Sequence, residues 1–207
     1  MRRTKLDNWI ETIEALPELT REGLEARQLK RLNETLARVR ARGGFYRENK
    51  KKLEDLEQLQ TLPFTTAADL AAFPNKFLLT SQSEVSRVIS GATSGTTGPA
   101  KRVFYTERDT EHTVGFFAAG ISEMLSAGEK CLIAFPFTGP FGLGDLIARA
   151  VERLGAVPVR AGFGGSWGEL CQLVRETGPE TYIGFPVTLL GLARMYGAGL
   201  PIQRALV

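Results

Sequence analysis

Apolar residues along this chain follow two different spacings, and the change comes near residue 85. Before it, Leu29, Leu32, Leu36 and Val39 recur at helical intervals. Gly43-Gly44 is expected to stop that helix. Thr66-Ala67-Ala68-Asp69 has the form of a capping box and opens a short helix. After residue 85 the chain alternates. Val85–Ile89 and Arg102–Tyr105 read as strands, and Thr106-Glu107-Arg108-Asp109 is a second capping box, opening a helix to about Ala127. Strand 131–135, helix 143–154, strand 157–160, helix 167–176, strand 182–185 and helix 187–196 follow. Ser166-Trp167-Gly168-Glu169 caps the second of these helices.

Strands alternating with helices predict right-handed βαβ crossovers. The expected fold class is therefore α/β: a mostly parallel sheet with flanking helices, preceded by a helical N-terminal segment. Residues 1–80 are read as that segment and residues 81–207 as an α/β subdomain. Gln203–Val207 reads as the start of one more strand, which would leave an open sheet edge. The expectation is that the subdomain is incomplete at this end and forms the front portion of a longer protein.

Composition narrows the class without naming the chemistry. With 207 residues, 43% of them hydrophobic, the chain can bury a core as one domain or two small ones. A net charge of +3 is ordinary for a soluble protein. No apolar run reaches the roughly 18 residues of a membrane span. Met1-Arg2-Arg3 leads into a mixed polar helix, so no signal peptide is read. Cys131 and Cys171 form no Cys-x-x-Cys pair and are taken as packing residues of a reduced, cytoplasmic protein. Between Arg27 and Lys52, ten Lys/Arg stand against Glu34 and Glu48. Only Phe45 and Tyr46 interleave with them, so a solvated helix face is expected there and nucleic acid is not the expected partner.

Residues 93–101, Thr-Ser-Gly-Thr-Thr-Gly-Pro-Ala-Lys, concentrate the visible chemistry. Hydroxyls, backbone N–H groups freed by glycine and one cation can converge there on a polyphosphate. No Walker A spacing can be read through the segment, because Gly95 and Gly98 stand too close together. The plain alternative is a Ser/Thr/Gly turn between two strands. The whole string closely resembles the phosphate-binding signature of the adenylate-forming superfamily: acyl-CoA synthetases, luciferases and peptide-synthetase adenylation domains.

Further motifs resemble the phenylacetate–CoA ligase branch of that superfamily. They are Phe45-Tyr46-Arg47, Leu62-Pro63-Phe64-Thr65-Thr66 with Asp69-Leu70, Tyr105-Thr106-x-x-Asp109 and Glu152-x-Leu154-Gly155-Ala156. The likeness runs from about residue 45 to residue 200, the N-terminal portion of such enzymes. Ala67 stands where the branch has lysine, and Pro99-Ala100 departs from its usual order, while Lys101 keeps its place. The downstream Tyr-Gly-x-Thr-Glu segment, the ribose-binding aspartate and the lid domain with its catalytic lysine do not occur in the chain.

The resemblance implies an ATP-dependent, AMP-forming carboxylate–CoA ligase with ATP, Mg2+ and CoA as cofactors and a small carboxylic acid as substrate. Thr93, Ser94, Gly95, Thr96, Thr97, Gly98 and Lys101 would bind the ATP phosphates, with Lys101 and Thr96 as the catalytic pair. A lysine ammonium is a compact charge that can follow charge migrating onto pyrophosphate. Phe135, Phe137, Phe141 and Gly142 leave a buried strand at its C-terminal end, where open α/β sheets bind ligands. With Gly184, Phe185 and Pro186 after the next strand, they form the expected acyl pocket; ordinary core aromatics are the alternative.

No metal-ligating set is read. The sole histidine, His112, falls in a predicted helix, so Ser94 is not taken as a triad nucleophile. Gly162-x-Gly164 fails as a dinucleotide fingerprint because Trp167 takes the third glycine's place. The chain is expected to work with the missing C-terminal portion, in cis or as a separate chain, and to be inactive alone. A nucleotide- or acyl-binding module serving a partner chain, or an acyl-protein synthetase-like component, is the alternative.

Overall fold

The computed structural model describes residues 3–46, 48, 51–91, 101–137, 142–162 and 165–207, with residues 90, 91 and 101 described by backbone alone. The chain divides into two compact units, residues 10–109 and residues 1–9 together with 110–207.

The first unit is built on helices. Helix α1 (Lys5–Glu14) ends in a carboxylate that Arg27 and Arg31 of α2 (Arg21–Arg42) approach at 2.7 and 3.1 Å. Thr20 caps α2 by accepting from the Gly23 N–H, and Gly43 closes it in the left-handed conformation (φ 70°), donating to the Val39 carbonyl. The predicted helix stop is therefore a glycine C-cap. Leu36, Val39 and Leu53 are buried, and Asn33 fixes Leu53 by bonding both its N–H and its carbonyl at 2.9 Å. Phe45 stacks on Phe77 with centroids 4.6 Å apart. The capping box at Thr66 and Asp69 opens α3 (Ala67–Ala72) as expected.

Strands β1 (Val85–Gly91) and β2 (Lys101–Thr106) form a separate antiparallel two-stranded sheet, with Gly91 opposite Lys101. Their antiparallel pairing has a physical reason. A parallel crossover takes about a dozen or more residues, and residues 92–100 are too few for one.

The second unit carries the parallel sheet. Helix α4 (Glu107–Ile121) begins at the Thr106–Asp109 capping box. It ends well before the expected Ala127. Ser122 Oγ donates to the Ala119 carbonyl at 2.7 Å, and Lys5 Nζ takes the Ser122 carbonyl at 2.6 Å, so the last turn's acceptors are diverted from continuing the helix. Then follow β3 (Lys130–Ala134), α5 (Leu143–Arg153), β4 (Val157–Arg160), α6 (Trp167–Thr177), β5 (Thr181–Gly184), α7 (Pro186–Tyr196) and β6 (Arg204–Leu206). The four strands are parallel, in the order β4-β3-β5-β6.

Alternate residues of the central strands face opposite cores. Cys131, Ile133 and Ile183 pack with Val114 and Ala118 of α4 and Ile147 and Val151 of α5. Leu132, Ala134 and Tyr182 pack with Cys171 and Val174 of α6 and Leu192 of α7. A sheet buried on both faces explains the unbroken apolar run Cys131–Ala134. Both cysteines are free and buried, and burial pushes the Cys131 thiol up to about 12. Among the described residues, no helix is long and apolar enough to cross a membrane.

Candidate functional site

The strand order creates one special place on the sheet. The chain leaves β3 toward β4 on one side, returns past β3 to β5, and then moves outward to β6. The crevice beyond the carboxyl ends of β3 and β5 is thus the switch point at which open α/β sheets bind ligands. Phe135 and Phe185 meet there, their centroids 4.8 Å apart at 76°.

Gly184 lets the end of β5 pack closely against Tyr182 and β3. A Cβ at that position would lie 2.5 Å from the Tyr182 hydroxyl oxygen and 2.8 Å from the Ala134 Cβ. Tyr182 is fully buried and donates its hydroxyl to the Phe185 carbonyl at 2.9 Å, which fixes the turn into α7. Burial raises the phenol's pKa, against a smaller opposing effect of its hydrogen bond with Thr188. Pro186 occupies the first turn of α7, where its missing N–H costs nothing.

The β3–α5 turn is held in a different way. Gly142 precedes α5 in an extended conformation with no side-chain cap. Gly144 presses against the turn: its N–H bonds the Pro136 carbonyl at 3.2 Å, and a Cβ would lie 2.9 Å from that oxygen and 3.0 Å from a Phe137 ring carbon. Phe137 turns toward β4, where the Arg160 guanidinium lies 5.2 Å from its ring centroid. Arg160 also bonds Asp145 Oδ1 at 3.0 Å; the other Asp145 oxygen is buried with no partner among the described residues.

The expected pocket residues therefore divide. Phe135, Gly184, Phe185 and Pro186 come together at the switch point, whereas Phe137 is directed to the β4 side against Gly144 of α5, and Gly142 immediately precedes that helix. Phe141 lies outside the described residues, as do Thr93, Ser94, Gly95, Thr96, Thr97 and Gly98. Lys101 is described by its backbone, the first residue of β2. Residues missed from sequence are Tyr182, Gly144, Asp145 and Arg160. Their partners are distant in sequence or across a turn, and no local spacing marks them. His112 lies against Trp9, centroids 5.2 Å apart, and serves a packing role. The described residues bring no three His, Cys, Asp or Glu side chains together in metal-holding geometry.

No family model and no curated protein matches the sequence. Solved structures do resemble it. An open conformation of 2-hydroxyisobutyryl-CoA ligase, in complex with 2-HIB-AMP and CoA, superposes with a TM-score of 0.69 at 20% identity, over 84% of this chain and 40% of that one. The same ligase in the postadenylation state with 2-HIB-AMP gives 0.70 at 19%, over 86% and 40%. In the thioesterification state it gives 0.69 at 22%, over 86% and 41%. The chain thus spans about 40% of the length of these ligases. At such identities the likeness is one of fold: this chain has the fold of the N-terminal part of an adenylate-forming CoA ligase.

Proposed function

We propose that the chain is the N-terminal part of an ATP-dependent, AMP-forming carboxylate–CoA ligase of the phenylacetate–CoA ligase-like branch. The observation that carries this reading is the pairing of Gly91 with Lys101. It sets the backbone of Lys101, the last residue of the Thr93–Lys101 motif, beside Gly91, two residues before the motif begins, which supports a motif that closes on itself around one polyphosphate. The Phe135–Phe185 pair at the sheet's switch point supports a separate apolar wall for an acyl group. The Leu62–Thr66 string and its working capping box at Asp69 support the choice of branch.

In this reading residues 81–207 form the nucleotide-binding subdomain, and the rest of the ligase completes the site in cis or as a separate chain. A carboxylate oxygen of the acid attacks the α-phosphorus of ATP; the bond to the β-phosphate bridge breaks and pyrophosphate leaves. The CoA thiol then attacks the acyl carbon and AMP departs. Thr93, Ser94, Thr96 and Thr97 donate hydroxyls to phosphate oxygens, Gly95 and Gly98 let backbone N–H groups approach, and Lys101 follows the charge onto pyrophosphate. Mg2+ would accompany ATP and offset the charge of its phosphates. A reducing, cytoplasmic setting fits the two free, buried thiols.

Pyrophosphate exchange by the chain together with the remainder of the ligase, across aryl and short aliphatic acids, tests the reading. Acid-dependent exchange of label into ATP is expected. Exchange with none of the acids, while ATP binding is retained, would point to a binding module.

A further inference from the structure

The turn from β5 into α7 is held from inside the sheet. Phe185 is the N-cap residue of α7, and its phenyl side chain offers no cap hydrogen bond. Its carbonyl is gripped instead: it accepts the Thr188 N–H at 3.1 Å, the Leu189 N–H at 3.2 Å and the Tyr182 hydroxyl at 2.9 Å. A carbonyl oxygen has two lone pairs, so three donors hold it from both sides. The two N–H bonds belong to any helix start. The third comes from a side chain of the strand.

Tyr182 reaches that carbonyl because its surroundings leave it one course. Gly184 has no side chain, and a Cβ there would lie 2.5 Å from the phenol oxygen. The ring is fully buried in the core formed with Leu132, Ala134, Val174 and Leu192. Thr188, in the first turn of α7, bonds the same phenol. The hydroxyl thus ties the end of β5 to the start of α7 at a place that water does not reach, so nothing replaces the bond once the oxygen is removed.

The residue held in this way carries an exposed ring. Phe185 is 38% exposed and meets Phe135 edge-on, their centroids 4.8 Å apart at 76°. Phe135 packs against the core that β3 shares with α4 and α5. One ring of the pair is therefore fixed by packing and the other through its backbone, and edge-to-face geometry depends on both. The Phe185 Cα is bonded to the gripped carbonyl carbon, so a shift of that peptide moves the ring.

We propose that Tyr182 is a positioning residue for acid recognition: through the Phe185 carbonyl it holds the Phe185 ring against Phe135 and sets the fit of bulky acids without touching them. This rests on the carboxylate-activating reading and names, within it, the group that fixes the acyl wall.

The test is Tyr182→Phe in the complete ligase, which removes one oxygen and keeps the ring in its core. Pyrophosphate exchange gives KM for ATP and for two acids that the parent enzyme accepts, a bulky one (phenylacetate first) and a small one (propionate first). KM for the bulky acid is expected to rise at least about threefold, the scale of a lost aromatic pair, while the other two stay within about twofold. A merely structural role would lower the folded fraction, so kcat would fall for both acids with every KM unchanged. Phe185→Leu keeps the carbonyl and removes the ring. It should raise the bulky acid's KM by itself, and adding Tyr182→Phe should then change that KM by less than about twofold. An unchanged KM for the bulky acid in Tyr182→Phe, an equal rise for ATP, or independent effects of the two substitutions overturns the proposal. Each of those results leaves exchange by the parent enzyme intact, and with it the carboxylate-activating reading. Absence of acid-dependent exchange in the parent enzyme overturns both.

Discussion

Replacing Gly184 by alanine tests the packing that holds the switch-point crevice. The added methyl would sit 2.5 Å from the Tyr182 hydroxyl, 2.7 Å from its Cζ and 2.8 Å from the Ala134 Cβ. Neither neighbour has room to retreat: Tyr182 and Ala134 are fully buried, on β5 itself and on its partner β3. Overpacking of this kind costs about 1–3 kcal/mol. If Tyr182 swings aside, it gives up its bond to the Phe185 carbonyl, a further ~1 kcal/mol. Alanine regains roughly 0.5–1 kcal/mol over glycine in a strand. The net expectation is a loss of about 1.5–3 kcal/mol.

Urea unfolding followed by tryptophan fluorescence reads the correct unit, because Trp9 and Trp167 both belong to the one that contains Gly184. With a slope of about 1–3 kcal/mol/M, the midpoint should fall by about 1 M at unchanged slope. Tyr182→Phe removes the nearest clashing atom, so the double variant should lose less than the sum of the singles, by at least about 0.5 kcal/mol. A Gly184→Ala loss below about 0.5 kcal/mol, or strict additivity, would refute the argument that Tyr182 is what confines this glycine.

Three further outcomes follow from other parts of the chain. In the complete ligase, Lys101→Ala and Thr96→Ala should each lower kcat by roughly 100- to 1,000-fold, the effect of losing about 2.7–4 kcal/mol of charge stabilisation. Carboxylate KM should change far less; steady-state kinetics in which both variants turn over normally would remove these residues from the proposed phosphate site. Asn33→Ala leaves the Leu53 N–H and carbonyl without their side-chain partner, and should destabilise the 10–109 unit by about 1–3 kcal/mol, read as a fall in melting temperature by circular dichroism. Cys131, ordinarily near 9.0 and raised to about 12 in the fold, stays protonated while the unfolded thiol ionises. Stability should therefore fall as pH rises above about 9, by up to about 1.4 kcal/mol per unit until about 12, and Cys131→Ala should lack that component of the slope. Equal pH slopes for the two proteins would show that the thiol is not buried as described.

Much of the fold is legible in sequence because the signals are local. Three capping boxes, at Thr66, Thr106 and Ser166, were readable as a hydroxyl and an acid three residues apart, and each forms in the structure. The alternation of short apolar runs with helical spacing fixes α/β class, since strands joined by helical crossovers can pair in parallel. The likeness in fold to 2-hydroxyisobutyryl-CoA ligase agrees with the superfamily that the Thr93–Lys101 string resembles.

Tertiary structure decided what depends on neighbours remote in sequence. Strand order places the switch point between β3 and β5, and no periodicity along the chain encodes which strands become neighbours. That order separates Phe135, which meets Phe185, from Phe137, which turns to Arg160, although a single residue of chain divides them and both looked like one pocket wall. The early end of α4 has the same origin, because Lys5, far away in sequence, captures the Ser122 carbonyl. Sequence determined the elements and the type of sheet, because caps and periodicity act over a few residues. Packing decided which side chains meet, because contact across the sheet is set by strand order and by the close approaches that Gly184 and Gly144 permit.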